Sequence, residues 1–214
     1  MKFIEQINIP NRLTLIRILL VPFFMVVMFI DNLWTRIFVF IVFIIASITD
    51  LYDGKIARKY KQVSKVGIFI DPIADKILIS AALIFFVQVK ELNIPAWMIV
   101  LIISREYIVT GLRLIATIEN KIMQADYIGK FKTTSQIIVI ITILAILIIN
   151  SAIKYYWGLE PNDLLNFSDW KYYLGLFLLK VPFWLMLVVT LFTVYSGISY
   201  FRKYKNIVIL KLGE

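Results

Sequence analysis

Four aspartates stand between two of the most apolar runs of the chain, in the stretch "TDLYDGKIARKYKQVSKVGIFIDPIADK" from Thr49 to Lys76. Asp50 and Asp53 are three residues apart, and Asp71 and Asp75 are four apart. On helices, each spacing places a pair on one face. Gly54 and Ala57 share the first face and Gly67 the second, and such small residues let a helix or a bulky ligand approach the backbone. Four ionised carboxylates in one half-buried pocket repel one another and raise each other's pKa, so a cation is expected among them. Oxygen ligands alone favour Mg²⁺ or Mn²⁺, and four carboxylates suffice for two ions, an arrangement suited to phosphoryl transfer. The competing reading is capping: Asp71-Pro72 looks like a helix N-cap followed by a first-turn proline. It accounts for one aspartate and leaves three.

The elements that must hold these residues follow from hydropathy. The 214 residues are 61% hydrophobic, with mean hydropathy +0.85, which points to a bilayer as solvent. Six spans are expected, at roughly 13–30, 33–49, 77–89, 94–117, 136–153 and 175–198. The preceding residues 1–12 read as a short amphipathic helix on the membrane surface, broken at Pro10, and as a retained anchor rather than a signal peptide. The expected fold is therefore all-α and integral to the membrane, as a single domain over 1–214. From Leu33 to Thr49 there is only roughly 25 Å of helix, so this span must continue to about Asp53 to clear the hydrocarbon. The third span must begin near Asp71 for the same reason, which brings both acidic pairs to one depth.

Most of the 23 Lys and Arg fall on the face that holds the aspartate segment; Arg36, Lys90, Lys154, Lys171 and Lys180 fall on the other, and Arg105 lies inside a span. By the positive-inside rule both termini and the aspartates face the cytoplasm. The net charge of +9 is interleaved with membrane spans, so lipid headgroups or a phosphorylated substrate are the expected partners, and not nucleic acid. With no Cys and no His, thiol nucleophiles, disulfides, Ser-His-Asp triads and the commonest zinc sites are excluded. The connection "KYYWGLEPNDLLNFSDWKYY" reads as an interfacial aromatic belt in preference to a lid. Pro22 and Pro182 should kink the first and last spans if they fall inside helices.

The full spacing, Asp50-x-x-Asp53-Gly54-x-x-Ala57-Arg58, then eight residues, then Gly67-x-x-x-Asp71-x-x-x-Asp75, resembles the signature of the CDP-alcohol phosphotransferase family. The resemblance implies that Asp50, Asp53, Asp71 and Asp75 ligate two divalent cations, Mg²⁺ or Mn²⁺, and that Asp75 also takes the proton of the acceptor hydroxyl. It implies that Gly54, Ala57, Arg58 and Gly67 line a cytidine diphosphate pocket, and that the enzyme is a homodimer.

A second stretch, "SREYIVTGLRL" from Ser104, with "GKFKT" from Gly129, bears on the acceptor. Arg105 and Glu106 sit in an apolar helix, where ionisable groups are costly and face a cavity or each other. Arg113 lies eight residues further on, about two turns along a similar face, and with Lys130 would complete a cationic pocket for a phosphate-bearing acceptor. The plainer readings are membrane-edge anchoring for Arg113 and Lys130 and an ion pair with Glu106 for Arg105, although adjacent helical residues pair poorly. These stretches, with "IPNRLTLIR" and "SGISYF", resemble bacterial members that use CDP-diacylglycerol as donor and sn-glycerol 3-phosphate as acceptor. The resemblance thus implies Arg105, Arg113 and Lys130 as ligands of the acceptor phosphate and the bacterial inner membrane as location. An inositol phosphate acceptor is the nearest alternative. A divalent-cation transporter is a remote one, since its acidic groups would sit near the midplane and these cluster at one interface.

Overall fold

A computed structural model describes residues 21–60, 65–118 and 127–204. Side chains at 50–60, 65–72, 75, 117–118, 127–128 and 130 lie outside the description, as do the expected surface helix and the segment 205–214. Every regular element among the described residues is helical: α1 (21–28), α2 (Leu33–Tyr60), α3 (Lys65–Gln88), α4 (Ala96–Ile118), α5 (Tyr127–Trp157) and α6 (Trp170–Lys203).

Local chemistry fixes the joints. Asn32 starts α2 by accepting the Trp34 backbone N–H on its side-chain oxygen at 3.1 Å, and the Thr35 hydroxyl donates to the Ile30 carbonyl at 2.8 Å. Between α3 and α4 runs a single 3₁₀ turn, Lys90–Leu92, closed by Asn93 in the left-handed region (φ 49°). Gly158, at φ 65°, ends α5 by donating its N–H to the Lys154 carbonyl, a conformation that a side chain would oppose. Pro182 lies inside α6, where it removes one helical hydrogen bond from a helix that otherwise runs unbroken to Lys203.

α2, α3, α5 and α6 are longer than the apolar runs that announce them, while α4 keeps close to its expected bounds. α5 extends nine residues before Gln136 and four beyond Ile153, and α2 runs on through Asp50 and Asp53 to Tyr60. α3 begins at Lys65, so Asp71 and Pro72 are interior and do not cap its start. That corrects the capping reading: residues 65–70, ahead of Asp71, form helix too.

α5 packs against α2 and α6, and α4 against α3 and α6, around Phe43, Leu83, Phe86, Met98, Ile102 and Ile140, all essentially inaccessible. Outward faces are as apolar as the core: Trp34, Phe38, Ile41, Ile45 and Ile48 form one exposed stripe on α2, and Trp184, Val188, Leu191 and Tyr195 another on α6. Stripes of this size are unfavourable in water and suited to lipid. Among the described residues, Phe131–Trp157 and Trp170–Lys203 are long and apolar enough to cross a membrane. The connection after α5 is pinned by Leu164, which is buried against Leu178 and Ile153, while Tyr155, Tyr156, Trp157, Trp170 and Tyr173 stay exposed.

Candidate active site

The four aspartates all fall on regular helix, Asp50 and Asp53 on α2 and Asp71 and Asp75 on α3. Unbroken helix over 50–53 and 71–75 keeps each pair about one turn apart on a common face, as a shared cation requires. The donor set, carboxylates alone, fits a hard divalent cation. Gly54, Ala57 and Arg58 follow on α2 and Gly67 on α3, with their side-chain surroundings, like those of the aspartates, outside the described residues.

Just beyond Asp75 the side chains are described, and there α3, α4 and α5 meet on one buried acid. Glu106, about 15 Å along α4 from its first residue, is 8% exposed. The Lys76 ammonium of α3 donates to Glu106 Oε2 at 2.5 Å, and the Lys132 ammonium of α5 pairs with Oε1. Lys132 is 1% exposed. Arg105 Nη1 stands 3.9 Å from Glu106, at the limit of an ion pair, so the neighbour in sequence is the weakest of its partners.

Arg105 turns to α6 instead. Its Nη2 donates to the Ser196 hydroxyl at 2.8 Å, and its Cγ lies where a Cβ on Gly197 would come within 3.0 Å. Glycine here makes room for the arginine stem. Arg113 lies with its guanidinium 5.2 Å from the Tyr200 ring centre, and Nη2 is 3.8 Å from the Cβ position of Gly129 on α5. Arg105 and Arg113 start about 12 Å apart along α4, yet their α6 partners Ser196 and Tyr200 are about 6 Å apart, so the two side chains converge.

Arg105 and Arg113 thus both reach neighbouring turns of α6. Lys130 is on the first turn of α5 with its side chain outside the description. Lys76, Lys132, Ser196, Gly197 and Tyr200 escaped the sequence reading. A signal for Lys132 existed: it is in phase with Gln136, Ile140, Ile143 and Leu147, the buried stripe of α5.

The ensemble is a cluster of cationic side chains with one internal counter-charge among the described residues, close in sequence to a four-carboxylate motif. The family model for CDP-alcohol phosphatidyltransferase matches residues 7–195. The chain belongs to this family. Among similar CDP-alcohol phosphatidyltransferases is the Bacillus subtilis protein named CDP-diacylglycerol--glycerol-3-phosphate 3-phosphatidyltransferase, 40% identical over 208 residues that cover 92% of this chain and 94% of the relative. Proteins of the same name from Sodalis glossinidius and Escherichia coli are 36% and 33% identical over 145 residues, covering 65% of this chain and 78% of each relative.

Proposed function

We propose that this protein transfers the phosphatidyl group of CDP-diacylglycerol to sn-glycerol 3-phosphate, giving phosphatidylglycerophosphate and CMP in phospholipid biosynthesis. The observation that carries the acceptor is the convergence of Arg105 and Arg113 on α6 beside Lys76 and Lys132, with Glu106 as the only acid of the cluster among the described residues. A phosphate monoester suits such an excess of positive charge; uncharged inositol or zwitterionic serine does not. The shared name of the relatives supports the same acceptor.

In this reading Asp50, Asp53, Asp71 and Asp75 hold two divalent cations, Mg²⁺ or Mn²⁺, which supply charge neutralisation for the donor diphosphate and the departing CMP. Gly54, Ala57 and Gly67 leave room for the cytidine diphosphate, and Arg58 meets a phosphate. Arg105, Arg113 and Lys130 hold the acceptor phosphate. Asp75 accepts the proton of the attacking hydroxyl as the new oxygen–phosphorus bond forms and the bond to CMP breaks. The protein works as a homodimer with six spans per chain and a surface helix over 1–12, in the bacterial cell membrane with both termini and the site on the cytoplasmic side.

The test is CMP release by purified protein in detergent with CDP-diacylglycerol and Mg²⁺ or Mn²⁺, comparing glycerol 3-phosphate, inositol phosphate, inositol and serine. Release that needs glycerol 3-phosphate and disappears with EDTA is expected. Release with inositol phosphate instead would keep the chemistry and replace the acceptor. Release with none would overturn the reading.

A further inference from the structure

The buried carboxylate of Glu106 has no part in the chemistry just described, and its placement is costly. An ionised acid about 15 Å inside an apolar helix is retained only where its partners are good, and breaking such a pair costs far more than an exposed one. Its partners are two ammoniums from different helices, Lys76 of α3 and Lys132 of α5. The chain positions are informative. Lys76 is the residue after Asp75, and Glu106 is the residue after Arg105. One salt bridge of 2.5 Å therefore joins the backbone step next to the proton acceptor to the backbone step next to a guanidinium that holds the acceptor.

We propose that Glu106 is a positioning residue: through Lys76 it fixes the α3 segment carrying Asp75 against the α4 segment carrying Arg105, with Lys132 locking the acid from the α5 side. The proposal rests on the phosphatidyl-transfer reading above. Lys132 is sealed from solvent with its ammonium facing the Glu106 carboxylate, so this lysine serves the joint. Arg105, held by Ser196 and seated on Gly197, then has one orientation relative to α3.

Two simpler roles for Glu106 predict different signs. Were it only a counter-charge, Glu106→Gln would raise the positive potential of the pocket, lower the acceptor KM and leave kcat unchanged. Were it only structural, the variant would lose thermal stability while the folded fraction kept wild-type kcat and KM. A positioning role predicts that Glu106→Gln lowers kcat roughly 10- to 100-fold and raises the acceptor KM, with the CDP-diacylglycerol KM unchanged. Lys76→Met should lower kcat by a similar factor, and the double variant should be no worse than either single one, since both break the same bridge. Glu106→Asp, which keeps the charge on a shorter stem, should recover part of kcat.

The experiment is steady-state CMP release by these four variants and the unaltered protein in detergent, with acceptor and donor varied in turn and thermal unfolding recorded with and without glycerol 3-phosphate. Wild-type kcat in Glu106→Gln, a lowered acceptor KM, or additive losses in the double variant would overturn the positioning role and leave the reaction standing. If the unaltered protein neither turns over nor is protected from unfolding by glycerol 3-phosphate, the reading of the reaction falls and this inference with it.

Discussion

Two charged groups sit in different parts of the bundle, and they use the same residue types to opposite ends. Beside the connections that follow α1 and α5, Asp31 receives Arg36 at 2.7 Å and Lys154 at 3.4 Å, and Lys154 also meets Glu160 at 3.6 Å. Asp31, Lys154 and Glu160 are about half exposed, and Arg36 reaches inward to donate to the Leu147 carbonyl at 2.8 Å. Deep in the bundle, Glu106 and Lys132 face each other out of reach of solvent. Exposed pairs exchange one hydration for another and yield little; buried ones carry a desolvation cost that has to be offset by geometry. The first group ties connections to helix ends. The second is costly to bury, and it brings together cationic side chains from α3, α4 and α5.

The largest effect that sharpens this contrast lies next to the inner group. Asp75→Asn should abolish CMP release while leaving CDP-diacylglycerol binding largely intact, as measured by turnover alongside donor binding; normal turnover would remove Asp75 from its role. Lys132→Met strands the Glu106 carboxylate with Lys76 as its remaining close partner. It should cost about 3 kcal/mol of stability or more, visible as a large fall in the unfolding midpoint in detergent. Arg105→Ala and Arg113→Ala should each raise the acceptor KM about 10-fold or more, because each would remove a charge-assisted contact to phosphate in the proposed site. Unchanged acceptor kinetics in both would move the phosphate site elsewhere. Gly197→Ala pushes a methyl group into the Arg105 stem, and a few-fold rise in the acceptor KM without loss of donor affinity is expected. Smallest of all, Asp31→Asn should shift stability by about 1 kcal/mol or less and leave CMP release unchanged. A loss at Asp31 as large as that at Lys132 would break the comparison.

The sequence carried the carboxylate motif outright, because a fixed spacing of three and four residues survives any detail of packing as long as the segment is helical. Arg105 and Arg113 were legible for a related reason: charge in an apolar helix has few places to go. Partners were harder. From the sequence, the one partner in view for Glu106 was a poorly placed neighbour, Arg105, whereas the structure gives it to Lys76, 30 residues earlier, and to Lys132 on α5. Which helices adjoin is a property of tertiary packing, and no local period reports it. Lys132 and Lys130 look alike in "GKFKT", and only the phase of the apolar stripe along α5 tells them apart. Ser196 and Gly197 were visible only as part of a familiar string, and their function, a seat for an arginine stem, required the α4–α6 contact.

Hydropathy measures the apolar middle of a helix and stops where charge begins, so α2 and α5 run well past their apolar spans while α4 keeps close to its own. Tyr127 through Ser135, largely polar, are helix because the turns that follow them extend the same hydrogen-bonded ladder.

The order in which the three partners of the Glu106 joint leave the ribosome has a consequence for how the protein is built. Lys76 is synthesised first, Glu106 next and Lys132 last. An acid buried alone on α4 would be costly, but a countercharge is already present on α3. The two helices can therefore pair with that charge neutralised, and the arrival of α5 completes the joint.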